Sequence, residues 1–275
     1  MDTHSRFNRK LYIPMILGSI LNPINSSIIA VALIPIGTAF GAPPSQTAWL
    51  VSALYLATAI GQPVVGKLID IYGPKRLYMI STALVGAASF LVFFAPNIWW
   101  LVAVRVLIGL GTCAGYPAAM YLIRMESERT GEKSPAGVLA ILSIANQSIA
   151  VIGPVLGGLL IGIGGWQSAY IVNIPLSLAC LIFGGIIFPA EKGRKETEMN
   201  IDYVGMGLFA AMMVSLLLFL MNPQIDRIYL FAGAVALMAV FIYYESRIAK
   251  PFIPLKVLRE NRPLIATYIR TLLTA

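Results

Sequence analysis

Eight apolar runs, each roughly the length that a helix needs to cross a bilayer, alternate with short polar connections along almost the whole chain. They occupy 11–33, 47–66, 77–95, 98–123, 136–161, 167–188, 204–221 and 228–244, and a ninth opens near 263. A hydrocarbon core about 30 Å thick takes about 20 helical residues. The pattern therefore predicts an all-α, multi-pass membrane protein with the lipid bilayer as its surroundings. Composition agrees. Of 275 residues, 58% are hydrophobic and 12% charged, against about 25% charged in a soluble domain. A soluble fold is excluded.

The net charge of +8 would suit a polyanionic partner, but its distribution says otherwise. Seventeen of the 20 cations fall on alternate connections: Arg6, Arg9 and Lys10; Lys67, Lys75 and Arg76; Arg124, Arg129 and Lys133; Lys192, Arg194 and Lys195; Arg247, Lys250, Lys256, Arg259 and Arg262. The intervening loops hold Arg227, while Arg105 and Arg270 lie within runs. Cationic loops stay on the cytoplasmic side. The expectation is a cytoplasmic N-terminus, with loops near 67–76, 124–135, 190–203 and 245–262 inside and no nucleic-acid partner. The basic tail before Leu11 resembles a secretory leader, but its apolar run is too long, so it reads as an uncleaved first span.

Classes of chemistry can also be set aside. Cys113 and Cys180 fall in different runs, with no CxxC pair and no disulfide framework. His4 stands alone in the tail. No HExxH, no carboxylate pair within a run and no nucleophile beside a base is present. The sequence gives no metal site, cofactor or catalytic residue, and the expectation is not an enzyme.

Three stretches carry more than span length. GKLIDIYGPKRLY, 66–78, places Gly66, Asp70, Gly73, Lys75 and Arg76 in one short connection. Two glycines let helix ends approach and turn, and Asp70 can meet a cation or a neighbouring helix N-terminus. LVAVRVLIGLGTCAG buries Arg105 some eight residues inside the fourth run, about 12 Å at helical rise. A charge there costs about 2.5–3.5 kcal/mol on insertion scales and by default marks a pathway. VIGPVLGGLL sets Gly153, Pro154, Gly157 and Gly158 late in the fifth run. Glycines at i, i+4 allow backbone-to-backbone packing, and Pro154 frees a carbonyl. Asn146, Ala150, Gly153 and Gly157 share one helical face, a smooth groove with one amide.

These strings resemble a known family. The 66–78 loop is similar to the G-x-L-a-D-r-x-G-r-k-x-x-l loop between spans 2 and 3 of the major facilitator superfamily, with Ile71 and Pro74 where basic residues are common. Arg105, Gly109 and Gly111 resemble its R-x-x-x-G-x-G element. GPxxGG at 153–158 resembles its antiporter motif, and GW-x-x-x-Y-x-x-N-I-P from Gly165 resembles the sixth span of its fourteen-span drug:proton antiporters. The resemblance implies a six-helix bundle over 1–188, a loop and two linker spans over 189–245, and a linker with an incomplete ninth span over 246–275, the second bundle being absent. It implies a state-dependent charge lock made by Gly66, Asp70, Gly73 and Arg76. It further implies secondary active transport, efflux of drugs or other small molecules by alternating access at the plasma membrane, with a small-molecule substrate and protons as coupling ion.

One departure bears on coupling. Where the family has L-D-x-T-V-V-N-V-A-L-P, this chain has INSSIIAVALIP, with Asn25 in the acidic place. An amide does not exchange protons near neutral pH, and every Asp and Glu lies in a loop or at a span end. The expected cavity wall is Asn22, Asn25, Arg105, Tyr116, Asn146 and Gln147, and an Asn25→Asp change is expected to set a carboxylate facing Arg105. Uncoupled transport, export of an anionic metabolite or a truncated non-transporting protein are the alternatives.

Overall fold

The computed structural model describes residues 8–131, 136–189, 202–221, 223–248 and 251–253, with 261, 263, 265–267 and 270. Regular structure among them is helical throughout. The chain divides into two compact units, Met1–Arg194 and Lys195–Ala275. Eight stretches are long and apolar enough to cross a membrane, as the run lengths predict.

The first unit holds six of them. A 3₁₀ turn at Arg9–Leu11 leads into α1 (Tyr12–Phe40), followed by α2 (Pro44–Tyr72) and α3 (Pro74–Phe90). The fourth crossing is broken into α4 (Ile98–Thr112) and α5 (Gly115–Thr130), the fifth is α6 (Ala136–Gly164), and the sixth joins α7 (Ser168–Ile171) to α8 (Asn173–Ile187). Both breaks have a proline shortly after them. Pro117 has no N–H for the carbonyl of Cys113, and Pro175 has none for that of Ile171.

Helices outrun the apolar stretches that mark them. The second run, 47–66, becomes a helix to Tyr72, so Asp70 stands in the last turn of α2 rather than in a loop. The fourth continues to Thr130 and carries Arg124, Glu126 and Arg129 with it. Hydropathy records the width of the bilayer, whereas a helix persists until something stops it. Here the stops are left-handed glycines, Gly41 (φ 60°) after α1 and Gly131 (φ 72°) after α5.

The tightest seams in this unit pair α1 with α6, α2 with α4, and α3 with α8. Glycine makes the first two possible. A Cβ on Gly153 would fall on the Ser27 side chain, and one on Gly157 would stand 2.8 Å from Val31 and 3.2 Å from the Ile28 backbone. On Gly109 it would stand 2.9 Å from the carbonyl of Leu54. One aromatic ring ties three helices together: Tyr78 of α3 donates to the carbonyl of Pro14 (2.8 Å) and meets Phe188 edge-on at 4.8 Å. Its ring occupies the space left by Gly18 and Gly184.

The second unit packs α9 (Tyr203–Met221) along α10 (Ile228–Arg247). Phe209 meets Phe241 at 6.1 Å and Phe252 at 5.6 Å, and Phe219 meets Phe231 at 5.4 Å. Residues 132–135 of the expected loop at 124–135, 190–201 of that at 190–203, 249–250, 254–260 and 262 of that at 245–262, and most of the ninth run lie outside the described residues.

Candidate functional site

Between α2 and α3 the chain turns on a single residue. Gly73 has φ 85° and ψ 158°, a conformation that any Cβ would disfavour. Its N–H closes α2 on the carbonyl of Ile69 (2.8 Å), and Pro74 opens α3 at once. Gly66 is different: a Cβ there would meet nothing within 4 Å. It sits in mid-helix, so Gly73 alone makes the turn that the sequence suggested both glycines would share. Asp70 and Arg76 stand exposed on the two sides of that turn. Lys75 reaches across to the end of α8, donating to the carbonyls of Gly185 (2.8 Å) and Phe188 (3.0 Å). A cation on the last carbonyls of a helix satisfies orphan acceptors and complements the dipole.

Deeper in the unit lies a polar centre. Arg105, only 1% exposed, is the largest fully buried side chain among the described residues. Its Nε donates to the carbonyl of Leu50 (2.9 Å) and a terminal nitrogen to the carbonyl of Asn25 (3.0 Å), with the Tyr170 ring 6.0 Å away. The guanidinium thus bridges α1 and α2 through backbone oxygens and meets the sixth crossing through the Tyr170 ring. Beside it, Asn25 and Asn173 form a reciprocal amide pair, each donating to the other's oxygen at 2.7 and 2.8 Å. Asn25 also donates to the carbonyl of Leu21 (2.8 Å), and Asn173 to Ser89 Oγ (3.1 Å). The Asn25 side chain therefore faces Asn173, and Arg105 takes its backbone carbonyl. An Asp at 25 would face Asn173 and Leu21 rather than Arg105.

The six residues expected to share a cavity wall are not brought to one surface. Asn25 and Arg105 are enclosed. Asn22 is half-buried and donates to Thr112 Oγ1 (3.1 Å). Tyr116 and Gln147 are exposed, and Asn146 is half-buried with its Oδ1 enclosed and unpartnered. The groove expected along Asn146, Ala150, Gly153 and Gly157 is filled at its two glycines by α1, and Gly158 faces open space. An open groove of about 390 Å³ lies instead between the end of α1 and the start of α2, lined by Leu33, Ile34, Gly37, Thr38 and Thr47. None of the six residues lines it.

A family model described as Major Facilitator Superfamily matches residues 15–275. The chain belongs to the major facilitator superfamily. It is 34% identical over 262 residues to the uncharacterized MFS-type transporter YwoD of Bacillus subtilis (strain 168), covering 93% of this chain and 57% of that protein. It is 32% identical over 195 residues to the multidrug resistance protein B homolog of Mycobacterium tuberculosis (strain CDC 1551 / Oshkosh), covering 71% of this chain and 35% of that one. The tetracenomycin C resistance and export protein of Streptomyces glaucescens is 26% identical over 265 residues, with 94% and 48% covered. The chain thus spans about half the length of such relatives, or less.

Within this major facilitator bundle, two structural residues were missed by sequence reasoning. Asn173 is the asparagine of the GW-x-x-x-Y-x-x-N-I-P string, yet its partner is 148 positions away. Gly115 packs so tightly that a Cβ would fall on the carbonyl of Gly18. A polar amide in an apolar run was the available signal for the first. Gly115 carried none beyond being small.

Proposed function

We propose that this chain supplies one bundle of a secondary active exporter of small molecules, working by alternating access in the cell membrane with its N-terminus cytoplasmic. The observation that carries the reading is the build of the first unit. Its helices meet backbone to backbone at Gly109, Gly115 and Gly157, and a buried guanidinium ties three crossings. Such a bundle moves as a body, which is what rocking of one bundle against another requires. Two relatives, one named for multidrug resistance and one for tetracenomycin C resistance and export, support efflux as the direction.

In this reading the turn at Gly73, with Asp70 and Arg76 beside it, is the state-dependent lock, and the exposed Tyr116 and Gln147 lie on surfaces open to substrate. Arg105 and Asn25 act by holding helices rather than by touching cargo. The test is dye efflux from cells expressing the full reading frame, with and without a protonophore. Export above the vector control supports the reading, and accumulation equal to the control at matched expression contradicts it. Loss of export under the protonophore assigns the proton as coupling ion.

A further inference from the structure

We propose that Glu245 holds a proton and donates it to Asp202, an acid-to-carboxyl hydrogen bond that fastens the chain after α10 to the α9–α10 hairpin. Both side chains are enclosed, at 6% and 3% exposure. Asp202 Oδ2 and Glu245 Oε1 converge on the same point, the place that a Cβ on Gly205 would occupy, so both would clash with any side chain there. Three of the four carboxyl oxygens have donors. Asp202 Oδ1 accepts from the N–H of Gly205 (2.8 Å) and the hydroxyl of Tyr244 (3.2 Å), Asp202 Oδ2 from the N–H of Phe252 (3.3 Å), and Glu245 Oε2 from the N–H of Ile253 (3.3 Å). The fourth, Glu245 Oε1, is buried without a partner.

As two carboxylates this arrangement fails twice: an acceptor is orphaned, and like charges face each other in a desolvated site. One proton taken from water corrects both, because Glu245 Oε1–H then donates to Asp202 and the pair carries a single charge. Among the described residues around it, none supplies that charge. α9 offers the Gly205 N–H, α10 the Tyr244 hydroxyl and the segment after α10 two amides, while the packed Phe209, Phe241 and Phe252 rings are uncharged. Arg247 lies over the Tyr243 ring, 5.3 Å from its centre. The hydrogen bonds of Asp202 and Glu245 come from three backbone amides and one phenol, none of them a cation. The fastening holds while the proton is bound. It loosens as pH rises through its release, since a second negative charge then enters the same enclosed space.

The test uses the full chain in lipid nanodiscs and two readouts. Hydrogen exchange at Phe252 and Ile253, corrected for base catalysis, is followed as pH is raised. Protection in the wild type should fall at least tenfold, whereas Glu245→Gln, whose amide donates permanently to Asp202, should hold it throughout. Infrared spectra at the low-pH end of the same series should show a carboxylic-acid carbonyl band that is lost in Glu245→Gln and equally in Asp202→Asn. A pH-independent wild type, a Glu245→Gln variant that follows the wild-type course, or a band that survives both substitutions would each overturn the proposal.

Discussion

Asn25 and Asn173 show how much a single pair of buried amides can fix. Each supplies donors and an acceptor to the other within an apolar interior. Removing one partner strands the other, at a cost of about 1–3 kcal/mol, whereas removing both can be nearly neutral. Asn173→Leu should therefore lower the melting temperature of the purified protein more than Asn25→Leu/Asn173→Leu together, a non-additivity expected of contacting residues. Equal or additive losses would mean that the pair is incidental. Asn25→Asp puts a carboxyl where Nδ2 now donates to Asn173 Oδ1 and the Leu21 carbonyl, both acceptors. That variant should be less heat-stable than the wild type at neutral pH. The sequence showed that Asn25 replaces an acid, and it placed Arg105 inside a span. It did not show which atom of residue 25 the guanidinium would take, because spacing along a helix says nothing about how two helices rotate onto each other.

Among the helices, glycines that read alike along the chain separate into two kinds. Gly115 and Gly157 lie against neighbouring backbone, while Gly66 and Gly158 open onto empty space. Overpacking a seam costs about 1–3 kcal/mol, but alanine at an unpacked helical glycine gains up to about 1 kcal/mol of helix propensity. Gly115→Ala should destabilise most, Gly157→Ala less, and Gly66→Ala and Gly158→Ala should be neutral or stabilising, all read as detergent melting temperatures. A uniform response across the four would contradict the packing described. Span number and order were legible from run length alone. Helix ends were not, since the polar residues after Gly66 and after Ile123 continue their helices until Gly73 and Gly131 stop them. Nor was the division of the GPxxGG string, where one glycine of an adjacent pair meets α1 and the next meets nothing.

At the scale of the whole molecule, alternate loops rich in cations set the proposed orientation. Cysteines introduced at Ser45 and Lys192 should react with an impermeant thiol reagent from outside and from inside the cell, respectively, and the reverse pattern would invert the topology. The central proposal is that this major facilitator bundle rocks as a body, with the turn at Gly73 and the charges of Asp70 and Arg76 governing the change of state. The decisive measurement is dye export by the full-length protein in proteoliposomes under an imposed pH gradient, wild type against Asp70→Asn. The account predicts wild-type export and an Asp70→Asn variant slowed roughly tenfold, about 1.4 kcal/mol in the barrier, with its melting temperature unchanged. Export by Asp70→Asn at the wild-type rate would contradict it.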